Sequence, residues 1–318
     1  MKTALAILLL ALPLYASAQA WPTKPVKVLV PFPPGGVTDA VARITADWLT
    51  QRLGQAFVVE NRPGASGAIA AEALARSEAD GYTLFSASTP QLAIVPYVQK
   101  VNYDPQKDFA PVSIVGTNAF ALGCNDRIPA ATLKEFVDYG KANPGKLTYA
   151  SPGQGSVGHL TMALLLARAG LKGEAVMYKG GGPAVADVVA GHVPCYFGNF
   201  NELLPHAGAG GRLKILAVSS PQRAPQLPNV PTVAEQGYPG FRTQTMNGYV
   251  APGATPRDIV ERIAHEIAAG CKDSGFAARL EKIGVDPVCS TPAAFTQAIR
   301  EDLAIWKEAV AAAGMKPQ

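Results

Sequence analysis

Val26-Lys27-Val28-Leu29-Val30-Pro31-Phe32-Pro33-Pro34-Gly35-Gly36-Val37-Thr38-Asp39 stands near the start of this 318-residue chain. Its first five residues are short and mostly β-branched, which reads as a strand. The proline and glycine run breaks that strand. Thr38-Asp39 then opens a helical pattern to Leu53, with apolar Val41, Ile44, Ala46, Trp48 and Leu49 on one side. Phe57–Glu60 reads as a second strand, Asn61–Gly67 as a loop, Ala68–Ser77 as a helix and Tyr82–Ser86 as a third strand ending in polar Ser88-Thr89. Strands separated by helices of this length imply right-handed βαβ units and a parallel sheet.

The same order returns in the middle of the chain. Leu147–Ala150 reads as a strand, Ser151–Gly158 as a glycine-rich loop, and Leu160–Ala169 as a helix. Ala175–Tyr178 is a further strand, and Gly180–Pro183 a second glycine-rich loop before a helix to Ala190. Strands Pro194–Phe197 and Leu213–Val218 follow. Ser219–Gly240, with little periodicity, reads as a long return connection. Gly248–Val250 is a short strand, and Pro256–Cys271 and Pro292–Ala312 are amphipathic helices expected to pack on the first lobe. The fold class is therefore α/β, with two similar sheets in sequence. A length of about 300 residues after export also suits two domains better than one core.

The extreme N-terminus bears on compartment. Lys2 precedes the apolar run Ala4–Leu14, and Ala16-Ser17-Ala18 fits the small-x-small cleavage rule, so residues 1–18 are expected to be a signal peptide cut near Ala18. The run is too short to span a bilayer, which takes roughly 20 apolar residues. Gln19 stands where a lipid-bearing Cys would be needed. A soluble periplasmic protein is expected. Net charge is +4 with no basic run, which argues against nucleic acid and suits small anions weakly. Cys124, Cys195, Cys271 and Cys289 show no metal spacing, and no cofactor or metal is expected. Four buried thiols is the simplest reading of them; export also permits a Cys124–Cys195 or a Cys271–Cys289 bridge.

Two loops attract attention. Pro31–Asp39 ends at a helix N-terminus, where free N–H groups and the helix dipole favour anions. Gly35 and Gly36 let the backbone approach a ligand, and Thr38 or Asp39 can cap the helix; Asp39, a fixed carboxylate beside an anion site, is assigned to capping. Ser151-Pro152-Gly153-Gln154-Gly155-Ser156-Val157-Gly158-His159 is the matching loop of the second sheet. In open α/β sheets ligands sit beyond the carboxyl ends of the strands, so two such loops at equivalent points suggest one ligand between two lobes. Enzyme motifs are missing: residues 31–36 do not fit G-x-G-x-x-G, no phosphate loop occurs, and Ser156 lacks the G-x-S-x-G frame. His159, three residues from Ser156, reads as a structural histidine or as part of a ligand shell. His192, His206 and His265 show no partner pattern.

Ordered motifs along the chain, among them Trp21–Pro25, Pro31–Asp39, Val59–Gly64, Asp80–Leu84, Tyr103–Pro111, Ala142–Leu147, Gly155–Leu160, Tyr178–Gly180 and Leu227–Glu235, resemble the Bug/TctC family of extracytoplasmic solute receptors. The resemblance implies a type II periplasmic-binding-protein fold, with lobe 1 spanning 19–122 plus 246–318 and lobe 2 spanning 123–245. It implies a receptor, not an enzyme, for a small organic carboxylate held by backbone groups and ordered water. By position, that points to Phe32, Pro33, Gly36 and Thr38, to Ser151, Gly155, Ser156, Val157 and His159, and to Ser88, Thr89 and Asn199. Two departures bear on specificity. Phe197-Gly198-Asn199 lacks the acid common in the family, which disfavours an amino-acid ligand. Thr245-Met246-Asn247-Gly248 lacks a common aromatic, so Asn247 and Gln91 are expected to bond the distal end of the ligand. A monomer working with a membrane permease, or alternatively with a signalling sensor, is expected. The two crossings are expected near Gly116–Gly123 and within Ser219–Thr245, with those glycines absorbing rotation.

Overall fold

A computed structural model describes residues 21–208 and 210–316; the expected signal peptide lies outside them. The elements run β1 (Val26–Val30), α1 (Val37–Leu53), β2 (Phe57–Asn61), α2 (Ala68–Ala75), β3 (Thr83–Ser88), α3 (Val95–Val98) and β4 (Phe109–Asn125). Then come α4 (Leu133–Ala142), β5 (Thr148–Ser151), α5 (Val157–Arg168), β6 (Glu174–Met177), α6 (Gly181–Ala190), β7 (Cys195–Asn199), α7 (Phe200–Leu203) and β8 (Leu213–Val218). The chain closes with β9 (Gln244–Pro252), α8 (Arg257–Gly270), α9 (Ser274–Lys282), β10 (Asp286–Pro287) and α10 (Pro292–Ala312).

The strands lie in the order β2-β1-β3-β9-β4-β7-β5-β6, with β8 and β10 also on β4. β4 is the shared element. Its first part pairs with β9, its last part with β7 and β8, so one strand carries the chain from the first sheet into the second. Strand directions then decide what faces what. β1 and β3 run with β4, because β3 is antiparallel to β9 and β9 to β4. β7 runs against β4, and β5 and β6 run with β7. The carboxyl ends of the two parallel sets therefore point at each other. In register, Ser88 at the end of β3 lies beside Asn247, which lies beside Gly116, whereas Asn199 at the end of β7 lies beside Phe120. Those levels are four residues apart along β4, about 13 Å of strand.

One core cluster covers a face of the first sheet, with Val28, Val41, Leu49 and Ile263 fully buried among β1, α1 and α8. Another passes beneath both sheets and includes Phe85, Leu160, Leu164, Phe295 and Trp306. Each of the buried leucines of α5 stabilises the fold by about 1.5–3 kcal/mol through area removed from water. A third backs the second sheet through α6.

Several expectations need correction. The 17-residue β4 has no counterpart among the strands expected from the sequence. Pro111, Gly116, Asn118 and Gly123 break its apolar pattern, and Pro111 is tolerated because the pairing shifts register between Pro111 and Ser113. Gly116 and Gly123, expected as rotation points, have a packing reason to be glycine. A Cβ on Gly116 would lie 2.7 Å from the Asp286 carbonyl oxygen, and one on Gly123 2.9 Å from Leu203, so close packing requires glycine in a continuous strand. The cysteines are not four thiols: Cys124–Cys195 and Cys271–Cys289 are both disulfides. α8 packs on the first sheet as expected, but α10 extends to the second lobe, where Arg168 of α5 meets Glu308 in a bidentate ion pair. Helix α4 also lies outside the expected elements, although Thr132 and Glu135 form a reciprocal capping box that the sequence carries openly.

Candidate functional site

The first loop is held from behind. Gly36 is the N-cap of α1 with φ −80°, and no side chain caps the helix. Asp39, 3% exposed, does not cap either; its carboxylate accepts from the Gly35 N–H at 3.0 Å, from Asn61 Nδ2 at 2.8 Å and from both Nε and Nη2 of Arg43 at 3.0 Å. Asn61 Nδ2 also donates to the Phe32 carbonyl at 2.9 Å. Burial alone would raise the Asp39 pKa, but hydrogen bonds from Arg43, Asn61 and Gly35 outweigh it and hold the carboxyl below its usual range. A carboxylate so neutralised braces the loop and leaves the loop's outer face to solvent. Pro33, Pro34, Gly35 and Gly36 are exposed, Phe32 is half-buried, and a Cβ on Gly36 would meet no atom within 4 Å. Neither fold nor packing demands glycine at position 36.

The second loop is held from within. Ser156 is the N-cap of α5: its Oγ accepts from the His159 N–H at 3.3 Å and donates to the Gly153 carbonyl at 2.7 Å, while Ser151 Oγ donates to the same carbonyl at 3.1 Å. Gly155, at φ +70°, donates its N–H to His159 Nδ1 at 3.2 Å. His159 is thereby fixed with its proton on Nε2, and burial lowers its pKa, so it is neutral near pH 7. Its ring stacks against that of Tyr149 on β5, with centroids 6.3 Å apart. Val157 is buried at the first turn.

Between the loops runs a polar seam. Thr38 Oγ1 donates to Asn247 Oδ1 at 3.2 Å, Asn247 Nδ2 donates to Asn118 Oδ1 at 2.7 Å, and Asn118 Nδ2 donates to the Gly284 carbonyl. Gln91 is a brace: its Oε1 accepts from Ser88 N and Oγ, and its Nε2 donates to the Ser66 carbonyl. Thr89 accepts from the Met246 N–H at 2.8 Å and donates to the Gln244 carbonyl. A cleft of about 220 Å³ opens where β4 changes partners, lined by Val37, Asn118, Asn199, Phe200, Glu202 and Gly284. Glu202 Oε2 accepts from the Tyr196 hydroxyl at 2.9 Å, and its carboxylate lies against Gly181 at the start of α6. No hydrogen bond joins the two loops among the described residues.

Residues 41–315 match the model of the tripartite tricarboxylate transporter family receptor. The chain belongs to that receptor family. BugT of Bordetella pertussis is 35% identical over 302 residues, which cover 94% of this receptor and 92% of that protein. The structure of R. palustris Rpa4515 with adipate is similar with a TM-score of 0.75 and 33% identity, over 94% of this chain and 100% of that one. MatC from Rhodopseudomonas palustris with bound malate gives 0.71 at 30% identity, over 91% and 100%. The two sheets are thus the lobes of a periplasmic-binding-protein fold. No helix of the receptor is long and apolar enough to cross a membrane among the described residues.

The receptor's cleft includes residues that sequence reasoning missed. Asn118 is the central one, 8% exposed and bonded on both sides. Its signal is the polar pair Thr117-Asn118 inside a mostly apolar strand, visible only once β4 is recognised. Glu202 was hidden by its position in a one-turn helix. Asn199, by contrast, lines the cleft as its place at the end of β7 requires.

Proposed function

We propose that this receptor is exported to the periplasm, where as a monomer it closes on a small organic carboxylate, a dicarboxylate or an aromatic acid rather than an amino acid, and delivers it to a membrane permease. The observation that carries this reading is the opposed strand ends, each feeding a loop and a helix N-terminus, with the Gly36 backbone open to an approaching anion. Relatives solved with adipate and malate support an acid with two carboxylates. The preference against an amino acid rests on Gly198, where the resembling family commonly carries an acid, and on Asp39 being paired with Arg43; Glu202 and Asp286, held only by neutral Tyr196 and Gln226, are the carboxylates that aspartate in the titration tests. The proposed lobes are 19–122 with 246–318, and 123–245.

Titration calorimetry with adipate, malate, benzoate and aspartate tests this. At least one of the first three should bind and aspartate should not. Gly36→Val should abolish binding of adipate and malate by filling the open face, while changing stability by less than about 1 kcal/mol at an N-cap where nothing else is touched. Tight aspartate binding, or full adipate or malate affinity in Gly36→Val, would overturn the reading.

A further inference from the structure

The larger opening in lobe 2 is not the cleft. A cavity of about 450 Å³ lies between α5, the start of β6 and the end of α10, on the edge of the second sheet. Small side chains make room for it. Ala163 and Ala167 follow His159 at successive four-residue steps along α5, and Ala312 and Ala313 end α10 opposite them. Leu166 and Leu171 supply an apolar floor.

Two polar groups break that apolar lining. Tyr149 is 4% exposed and His159 5%, and both line the cavity. With Nδ1 occupied by the Gly155 N–H, the His159 ring presents Nε2–H as a donor. Neither Nε2 nor the Tyr149 hydroxyl has a hydrogen-bond partner among the described residues. Burial keeps both neutral: the Tyr149 pKa is pushed up to about 12 and that of His159 is lowered. Neither atom is sealed from solvent, so both donors stand at the surface of the cavity, open to an incoming acceptor that takes the place of water. At the rim, Lys172 and Glu174 are both exposed and cancel in charge, so the inner donors decide what fits.

We infer that this cavity is a second ligand site, separate from the cleft, for a small apolar carboxylate whose oxygens accept from His159 Nε2–H and the Tyr149 hydroxyl while its hydrocarbon body lies on Leu166 and the alanines. The site needs no lobe closure, since α5, β6 and the end of α10 form it without the first loop. It does touch the cleft loop indirectly, because the same imidazole holds Gly155 through its other nitrogen.

The test uses benzoate as the probe on full-length mature receptor with labelled alanine methyls and histidine ring nitrogens. It is run in wild type and in Gly36→Val, which blocks the cleft loop. Benzoate should shift the His159 Nε2 resonance and the Ala163, Ala167 and Ala312 methyls, saturably, in both proteins. Ala163→Phe, which fills the cavity, should remove those shifts, and Tyr149→Phe should weaken them roughly three- to tenfold by deleting one donor. If Ala163→Phe fails to fold, Ala167→Leu serves the same purpose from the rim. Shifts confined to cleft residues, shifts lost in Gly36→Val but kept in Ala163→Phe, or no saturable shift in wild type would each overturn the second site. Only the calorimetry of the cleft bears on the receptor reading itself.

Discussion

Asp302 sits on the inner face of α10, 5% exposed, where Oδ1 meets Arg242 Nη2 at 3.0 Å and Oδ2 accepts from Trp306 Nε1 at 3.3 Å. Burial pushes its pKa up to about 6, against the pull of Arg242, which is shared with Glu301. The folded state therefore keeps this proton to a higher pH than the unfolded chain, whose carboxyl titrates near 3.8. Between those values the native state binds more protons, and stability must fall as pH rises toward 6. Asp302→Asn, which keeps the shape and the Trp306 bond, should flatten that part of the profile; thermal unfolding at pH 4.5 and 7.5 would read it, and an unchanged slope would remove Asp302 as its source. Ser156 makes a second residue-scale case. Its hydroxyl is engaged at both the Gly153 carbonyl and the His159 N–H, so Ser156→Ala should cost about 1 kcal/mol of stability as a lost cap. Denaturant unfolding would show it. That double role was invisible in the sequence, where Ser156 looked like a ligand donor because a hydroxyl in a loop does not announce its partner.

Among the elements, the two disulfides fasten different things. Cys124–Cys195 ties β4 to β7 at the start of lobe 2 and closes a separation of 71 residues, whereas Cys271–Cys289 ties the end of α8 to the segment after β10 across 18. Loop-closure entropy gives about 4 kcal/mol for the first and about 3 for the second. Their exposure differs more sharply: Cys124 and Cys195 are fully buried, while Cys271 and Cys289 are half-buried. Under mild dithiothreitol in native buffer, alkylation with mass analysis should find Cys271 and Cys289 labelled first, and Cys124 and Cys195 only on unfolding. Equal labelling of all four would show that lobe 2 opens readily. Sequence spacing could not decide between thiols and bridges, because Cys124 and Cys195 become neighbours only through the register of β4 on β7.

At the scale of the molecule, lobe motion must work through β4, β9 and the path from β8 back to β9, which the Ser219 N–H and hydroxyl bonds fasten to Phe120 and Thr243. α10, 21 residues and about 31 Å long, packs on α8 and residues 90–94 of the first lobe and is tied to the second through Arg168 and Arg242, so it moves with one or bends between them. A ligand that touches both loops interacts fully only with the closed form and so draws the population there. Small-angle scattering should give a smaller radius of gyration in the presence of saturating adipate or whichever acid binds by calorimetry; an unchanged radius with binding confirmed would mean that closure is not part of recognition. The repeated order of strand, glycine-rich loop and helix sufficed to establish α/β layers, two sheets and two helix N-termini at strand ends, because periodicity and turn chemistry are local properties. Whether those ends face one another, which cysteines meet, and that Asn118, Asn247 and Thr38 form one seam were decided only by tertiary structure. The facing ends, the Cys124–Cys195 contact and the seam depend on strand direction and register across β4, whose partners β7 and β9 lie about 70 and more than a hundred residues away, where no local pattern reaches.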